Sequence, residues 1–238
     1  MALLIVKVGS AVPEVACVRG DYDSWFATLT GFADSYGSVA PQEGDALPSP
    51  EGLAGVLITG SSAMVSDEEE WSERTGRWLV EVVRAGVPTL GVCYGHQLLA
   101  HALGGRVGMN PAGRAIGTRE VRMMPAAHGD PVFHGAPEVL TVQLTHREIV
   151  LEPPPGAERL IRAEHDAYHG LRFAEHAWGV QFHPEMDTDY VGVLIRQRAD
   201  AIREEGLDPD ALLAGLRESD DGPALLARFG AFVRGERS

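Results

Sequence analysis

Short apolar runs alternate with longer stretches of helical period over the first hundred residues. "ALLIVKVG" (2–9) is apolar and closed by glycine, which predicts a buried strand. "YDSWFATLTGFA" (22–33) has the spacing of an amphipathic helix. "AGVLITG" (54–60) predicts a second buried strand, entered from the Pro/Gly/Ser-rich stretch 41–52. "DEEEWSERTGRWLVEVVRAG" (67–86) predicts a helix: acids crowd its first turn, where the helix dipole favours them, and Gly86 suits its C-terminal cap. "VPTLGV" (87–92) is a third strand, and "GHQLLAHALGG" (95–105) is a helix stopped by paired glycines. Alternation of this kind places parallel strands in a sheet covered on both faces.

Beyond residue 105 the pattern changes. "RAIGTREVRMM", "VLTVQLTH", "ERLIRAE", "AYHGLRF" and "AWGVQFH" predict shorter, partly antiparallel strands. From Tyr190 to Arg234 the chain reads as helical, with "VGVLIRQRADAIREEG" and "GPALLARFGAFVRG". No repeat, low-complexity tract or linker interrupts it. The expectation is an α/β fold: an open, mostly parallel sheet with helices on both faces, extra short antiparallel strands and a helical C-terminal tail. Residues 1–238 form one domain in this reading, with 190–238 as its helical extension.

Composition narrows the function. The chain carries 34 acids against 20 bases, a net charge of −14, and such a surface repels a phosphate backbone, so no nucleic-acid partner is expected. Cys17 and Cys93 are the only cysteines, too few for a disulfide framework or a structural zinc site, and free thiols fit a reducing, cytoplasmic setting. The start "MALLIVKVGS" has no basic segment before its apolar run and is not expected to be a secretory signal. No apolar run reaches the roughly 18 residues of a membrane span, so no membrane partner is expected. The histidines show no metal-ligand spacing and there is no phosphate-cradling glycine loop, so neither metal nor cofactor is expected.

The candidate chemistry sits at the strand-to-helix corner Gly91-Val92-Cys93-Tyr94-Gly95. In an open parallel sheet, ligands collect at the carboxyl ends of strands. A corner residue there is held in a strained conformation, its side chain above the sheet, with small neighbours giving it room. This is the logic of the G-x-S-x-G nucleophile elbow with sulfur replacing oxygen. The following helix presents its positive end to Cys93, favouring thiolate, and the N–H of Tyr94 is placed to stabilise an oxyanion. The plain alternative is a small buried apolar cysteine among close-packing glycines. A second stretch supplies context: in "AWGVQFHPEM" (177–186) a strand ends and His183 and Glu185 follow, separated by Pro184. A thiol nucleophile needs a base, and the base needs a carboxylate to fix its tautomer. His183 and Cys93 are 90 residues apart, so only the fold can join them.

"GVCYGHQLLA" followed by "GVQFHPE" resembles the class I (triad) glutamine amidotransferases, over about residues 54–186 and more loosely the whole chain. The resemblance implies a flavodoxin-like sheet and a Cys-His-Glu triad that releases ammonia from glutamine through a γ-glutamyl thioester. It makes Cys93 the nucleophile, His183 the base and acid, and Glu185 its orienting carboxylate. It makes Gln97, in the C-x-G-x-Q pattern, a substrate contact. The second oxyanion donor is implied to come from "LITGSSAMVSDEEEW", at Gly60 or the N–H of Ser61. Most relatives carry two glycines and a proline there; Gly60-Ser61-Ser62 departs from that and points to the stand-alone branch of GMP-synthase-like proteins and γ-glutamyl peptidases. "LTHREIV" (144–150) resembles the family's S-H-x-D-x-V segment, with Thr145 for serine and Glu148 for aspartate, and places His146 at the pocket.

Three functions follow as expectations. The first is a glutaminase that hands ammonia to a separate acceptor or synthetase subunit. The second is a stand-alone γ-glutamyl peptidase or hydrolase with the same acyl-enzyme and a different leaving group. The third is a non-catalytic binding module of the same fold, which an intact Cys93, His183 and Glu185 argues against. The expected partner in either enzyme is a small molecule, glutamine or a γ-glutamyl compound, and the C-terminal helices leave room for a homodimer.

Overall fold

The computed structural model describes residues 2–236. Its first half runs β1 (Leu3–Val6), α1 (Pro13–Arg19), α2 (Tyr22–Leu29), β2 (Tyr36–Val39), β3 (Gly55–Ile58), α3 (Glu70–Arg84), β4 (Thr89–Val92) and α4 (Tyr94–Ala102). Then follow β5 (Arg106–Met109), β6 (Ala115–Met123), β7 (Val139–His146), β8 (Glu148–Glu152), β9 (Glu158–Arg162), β10 (Gly170–Ala174) and β11 (Ala177–Val180). The helices α5 (Thr188–Gln197), α6 (Ala199–Glu204), α7 (Pro209–Ala214) and α8 (Asp221–Val233) complete it.

Nine strands form one sheet in the order β2-β1-β3-β4-β11-β10-β9-β6-β7, and β5 pairs with β8 in a separate ribbon. The strands from β2 to β11 are parallel; β10, β9, β6 and β7 extend the sheet antiparallel. This is the expected α/β architecture. Every residue of β1, β3, β4 and β11 is buried, which is why these strands read as unbroken apolar runs rather than alternating ones. Two apolar layers cover the sheet. One gathers Phe26, Trp178, Ile195 and Phe229 beneath α2, α5 and α8. The other gathers Leu79, Val82, Leu98 and Leu99 from α3 and α4.

Four of these elements were not foreseen; one is β8, "EIVLE", which follows β7 after a single residue with no turn signal between them. The edge strand β2, "YGSV", is half-buried and carries glycine and serine, so it has no apolar signal. Helix α1 buries none of its residues. β5 is largely exposed and paired only with β8. The acids at 67–69 lie just before α3, which begins at Glu70.

The C-terminal helices pack against the sheet. Phe229 and Phe232 meet Trp178 edge-on, with ring centroids 6.4 and 5.1 Å away. Gly230 abuts the end of α2 so closely that a Cβ would fall 1.9 Å from the Thr30 carbonyl oxygen. Among the described residues, no helix is long and apolar enough to cross a membrane.

Candidate active site

Cys93 stands between β4 and α4 with φ 51° and ψ −102°, a backbone state that a side-chain-bearing residue adopts only under constraint. The constraint is steric. A Cβ on Gly91 would lie 2.4 Å from the Gly95 carbonyl oxygen, and one on Gly95 would lie 2.6 Å from that of Ile58. Both glycines let the corner fold back on itself and α4 press against β3. The elbow read from the sequence is therefore present in the backbone, held by glycines on either side.

The sheet brings the second stretch to this corner. β11 lies beside β4 in parallel register, with Val180 opposite Val92. The Cys93 N–H donates to the Val180 carbonyl at 2.8 Å, so His183, three residues beyond the end of β11, emerges beside the corner that holds the thiol. His183 Nδ1 and Glu185 Oε1 are 2.7 Å apart and both residues are buried. Nε2 of His183 makes no aligned hydrogen bond to protein, and the Cys93 sulfur is near enough to act on it by charge and hydrogen bonding. Burial opposes protonation of His183, but the Glu185 carboxylate and Cys93 outweigh it and raise the pKa to about 10.

Gly60 closes the third side. A Cβ there would fall 2.6 Å from His183 Cε1 and 3.5 Å from Cys93 Cβ, so the loop after β3 passes directly over the pair. Ser61 continues this loop, its hydroxyl accepting from the Ala63 N–H at 3.1 Å. Glu148 anchors the same loop from β8: its carboxylate accepts from the Val65 N–H at 2.9 Å and from the Ser66 hydroxyl. Tyr94 occupies the first position of α4, where the N–H has no intrahelical acceptor. Its ring turns away, stacked on Trp71, with its hydroxyl 2.6 Å from that of Ser72.

A cavity of ≈ 490 Å³ opens onto Cys93. Gly60, Ser61, Gln97, His146 and His183 line it, so the structure gathers these predicted residues at one place; Glu185 lies behind His183. Gln97 is held by bonds from Nε2 to the Glu148 carbonyl (2.7 Å) and to Gln181 Oε1 (3.0 Å). His146 is neutral: burial, and then the neighbouring His169, lower its pKa to about 3. The pKa of His96, in α4, is lowered to about 4, chiefly by burial. Cys17 is exposed on α1 and is not among the residues that line this cavity.

Sequence reasoning missed the opposite wall. Tyr22, Arg114, Tyr190 and Arg198 also line the cavity, and two of them belong to the helical C-terminal segment, in which no site residue was expected. The signal available was Arg198, the second of two arginines in "RQR" after the apolar run "VGVLI". Among the described residues, no group of three His, Cys, Asp or Glu side chains is arranged to hold a metal ion.

A nucleophile elbow at the end of a parallel strand, joined to a His-Glu pair on the adjacent one, marks a class. The family model for class I glutamine amidotransferases matches residues 45–193, and the chain belongs to that family. Among individual proteins it is similar to the glutamine-hydrolysing GMP synthase of Aeropyrum pernix, 35% identical over 143 residues, or 60% of this chain and 26% of that one. It is also similar to that of Thermus thermophilus, 39% identical over 106 residues, or 43% of this chain and 20% of that one. The chain thus spans about a fifth to a quarter of the length of these curated relatives. The fold matches a glutamine amidotransferase of Thermotoga maritima at a TM-score of 0.77 and 22% identity, over 98% of this chain and 97% of the other. A glutamine amidotransferase of Methylobacillus flagellatus matches at 0.70 and 21%, over 99% and 93%.

Proposed function

We propose that the chain hydrolyses the side-chain amide of glutamine with Cys93 as nucleophile. The supporting observation is the strained Cys93 corner with the Glu185-bound His183 beside it. Cys93 sulfur attacks the carboxamide carbon, and the oxyanion is met by the N–H of Tyr94 and the backbone at Gly60–Ser61. His183, protonated through its contact with the thiol, gives its Nε2 proton to the departing nitrogen, which leaves as ammonia. Water then attacks the γ-glutamyl thioester while His183 takes back a proton, and glutamate leaves with the thiolate restored. Glu185 holds the imidazole through Nδ1 and stabilises its charged form. Gln97 and His146 contact the bound glutamyl group. No metal or cofactor enters this chemistry.

The relatives named glutamine-hydrolysing GMP synthases favour transfer of the ammonia to a synthetase. A second reading is a stand-alone γ-glutamyl peptidase, in which an amine replaces ammonia as leaving group. It is favoured by the reach of the cavity past the triad to Tyr190, Leu194 and Arg198. The test measures ammonia release from glutamine and cleavage of γ-glutamyl dipeptides by the purified protein. Glutamine turnover alone supports the glutaminase, faster dipeptide cleavage the peptidase. Inertness toward both, with Cys93 resistant to a glutamine-analogue alkylator, would leave only a binding module.

A further inference from the structure

The cavity holds a cation that the chemistry above does not use. Arg198 lies at the junction of α5 and α6, half-buried, with its carbonyl and N–H inside the local helical hydrogen bonding. Its guanidinium Nη1 donates to the Thr145 hydroxyl at 2.6 Å. No Asp or Glu pairs with it among the described residues, although Arg114 beside it is held by both oxygens of Glu205 at 2.6 and 2.9 Å. The other groups that act on it are Arg114, which repels it, the Tyr22 and Tyr190 hydroxyls, and Cys93. A guanidinium withdrawn from water without an anion is costly, and its planar set of donors matches a carboxylate. In a chain of net charge −14, lining one cavity with three arginines, Arg114, Arg147 and Arg198, works against the overall acidity; Arg147 lies 3.8 Å from Glu205, so Arg198 alone of the three has no carboxylate beside it among the described residues.

We propose that Arg198, steered by Thr145, is the recognition site for a carboxylate of the substrate. The inference rests on the reading above that the cavity takes a glutamyl compound, and it makes that compound a free acid. Two sources carry this chemistry: the α-carboxylate of the glutamyl group, and the terminal carboxylate of an amino acid leaving group. Thr145 is the residue that departs from the serine of the family's segment, and here its hydroxyl fixes the arginine. Arg198 touches substrate through a group that does not react, so it sets specificity and leaves the bond-making to Cys93 and His183.

The test compares wild type, Arg198→Met and Arg198→Lys with four ligands: L-glutamine, its α-amide, γ-glutamylglycine, and that dipeptide amidated at its C-terminus. Turnover is read as kcat/KM, and binding by calorimetry in a Cys93→Ser background, with thermal melts verifying the fold. Loss of a charge-assisted contact lowers kcat/KM and affinity about 10- to 100-fold. An α-carboxylate contact gives that loss for glutamine and both dipeptides, and no loss for the glutamine α-amide. A leaving-group contact gives it for the free dipeptide alone. Arg198→Lys retains part of either effect, because it keeps the charge without the fork. Equal losses for acids and amides, or no loss for any ligand, would overturn the proposal while glutamine turnover stands. Arg198-dependent binding without turnover in wild type would instead remove the hydrolase reading and keep this one; failure of all four to bind would remove this one.

Discussion

Cys93 keeps a backbone state that costs on the order of 1–3 kcal/mol, and the glycines around it are what force the cost to be borne. The thiol gains a fixed position under the loop that carries Gly60. Replacing Cys93 by alanine should lower turnover by about 10⁶-fold and leave the melt nearly unchanged, since the new methyl occupies the same corner. Glu185→Gln should cost less, about 10⁴-fold, because the imidazole keeps its place and loses its tautomer control and charge partner. Activity of Glu185→Gln equal to wild type, in an ammonia-release assay, would remove Glu185 from the triad. Gly60→Ala sets a methyl against His183 Cε1, so it should abolish turnover with far-UV circular dichroism intact. These positions were legible because motif residues at two strand ends mark them. Arg198 and Tyr190 were not, because a helix lining a cavity with its polar ends has the same apolar period as one that only packs.

At the scale of elements, α4 and β7 bury imidazoles that must stay uncharged. His96 and His146 have pKa values lowered to about 4 and about 3, while the unfolded chain binds these protons near 6.5. The stabilisation from excluding them is complete above about pH 6.5 and drains as pH falls toward those folded values, with a slope of up to about 1.4 kcal/mol per pH unit for each group. His183 behaves oppositely: its pKa is raised, so its contribution is complete below about 6.5 and is lost as pH climbs toward about 10. Urea midpoints measured from pH 4.5 to 9 should therefore peak near pH 6.5. His96→Gln should flatten the acid limb, and an unaltered acid limb would show that His96 is not the group responsible. The element pattern itself was readable wherever strands are buried on both faces, as in β1, β3, β4 and β11. It failed at β2 and β5, which are stabilised by pairing with a neighbour rather than by their own apolar residues, and at β8, which no turn signal separates from β7.

Over the whole molecule, the C-terminal helices complete one apolar layer of the sheet and one wall of the cavity. Phe229 is fully buried against Trp178, and its replacement by alanine should cost about 3–5 kcal/mol in urea unfolding. Gly230→Ala should lower the melting temperature as well, since a methyl there collides with the backbone of Thr30 rather than with a movable side chain. The overall architecture was legible from alternation alone; the partnership of β4 with β11 was not, because strand order is a long-range property that no local pattern encodes. That partnership has a consequence for assembly. The Cys93 sulfur and the His183 ring meet only after the chain between them has looped out and returned, and the surface bend at Gly135–Pro137 lies within that excursion. Two fragments divided at this bend would each carry half of the reaction centre, so regained catalysis on mixing them would count reassociated molecules directly.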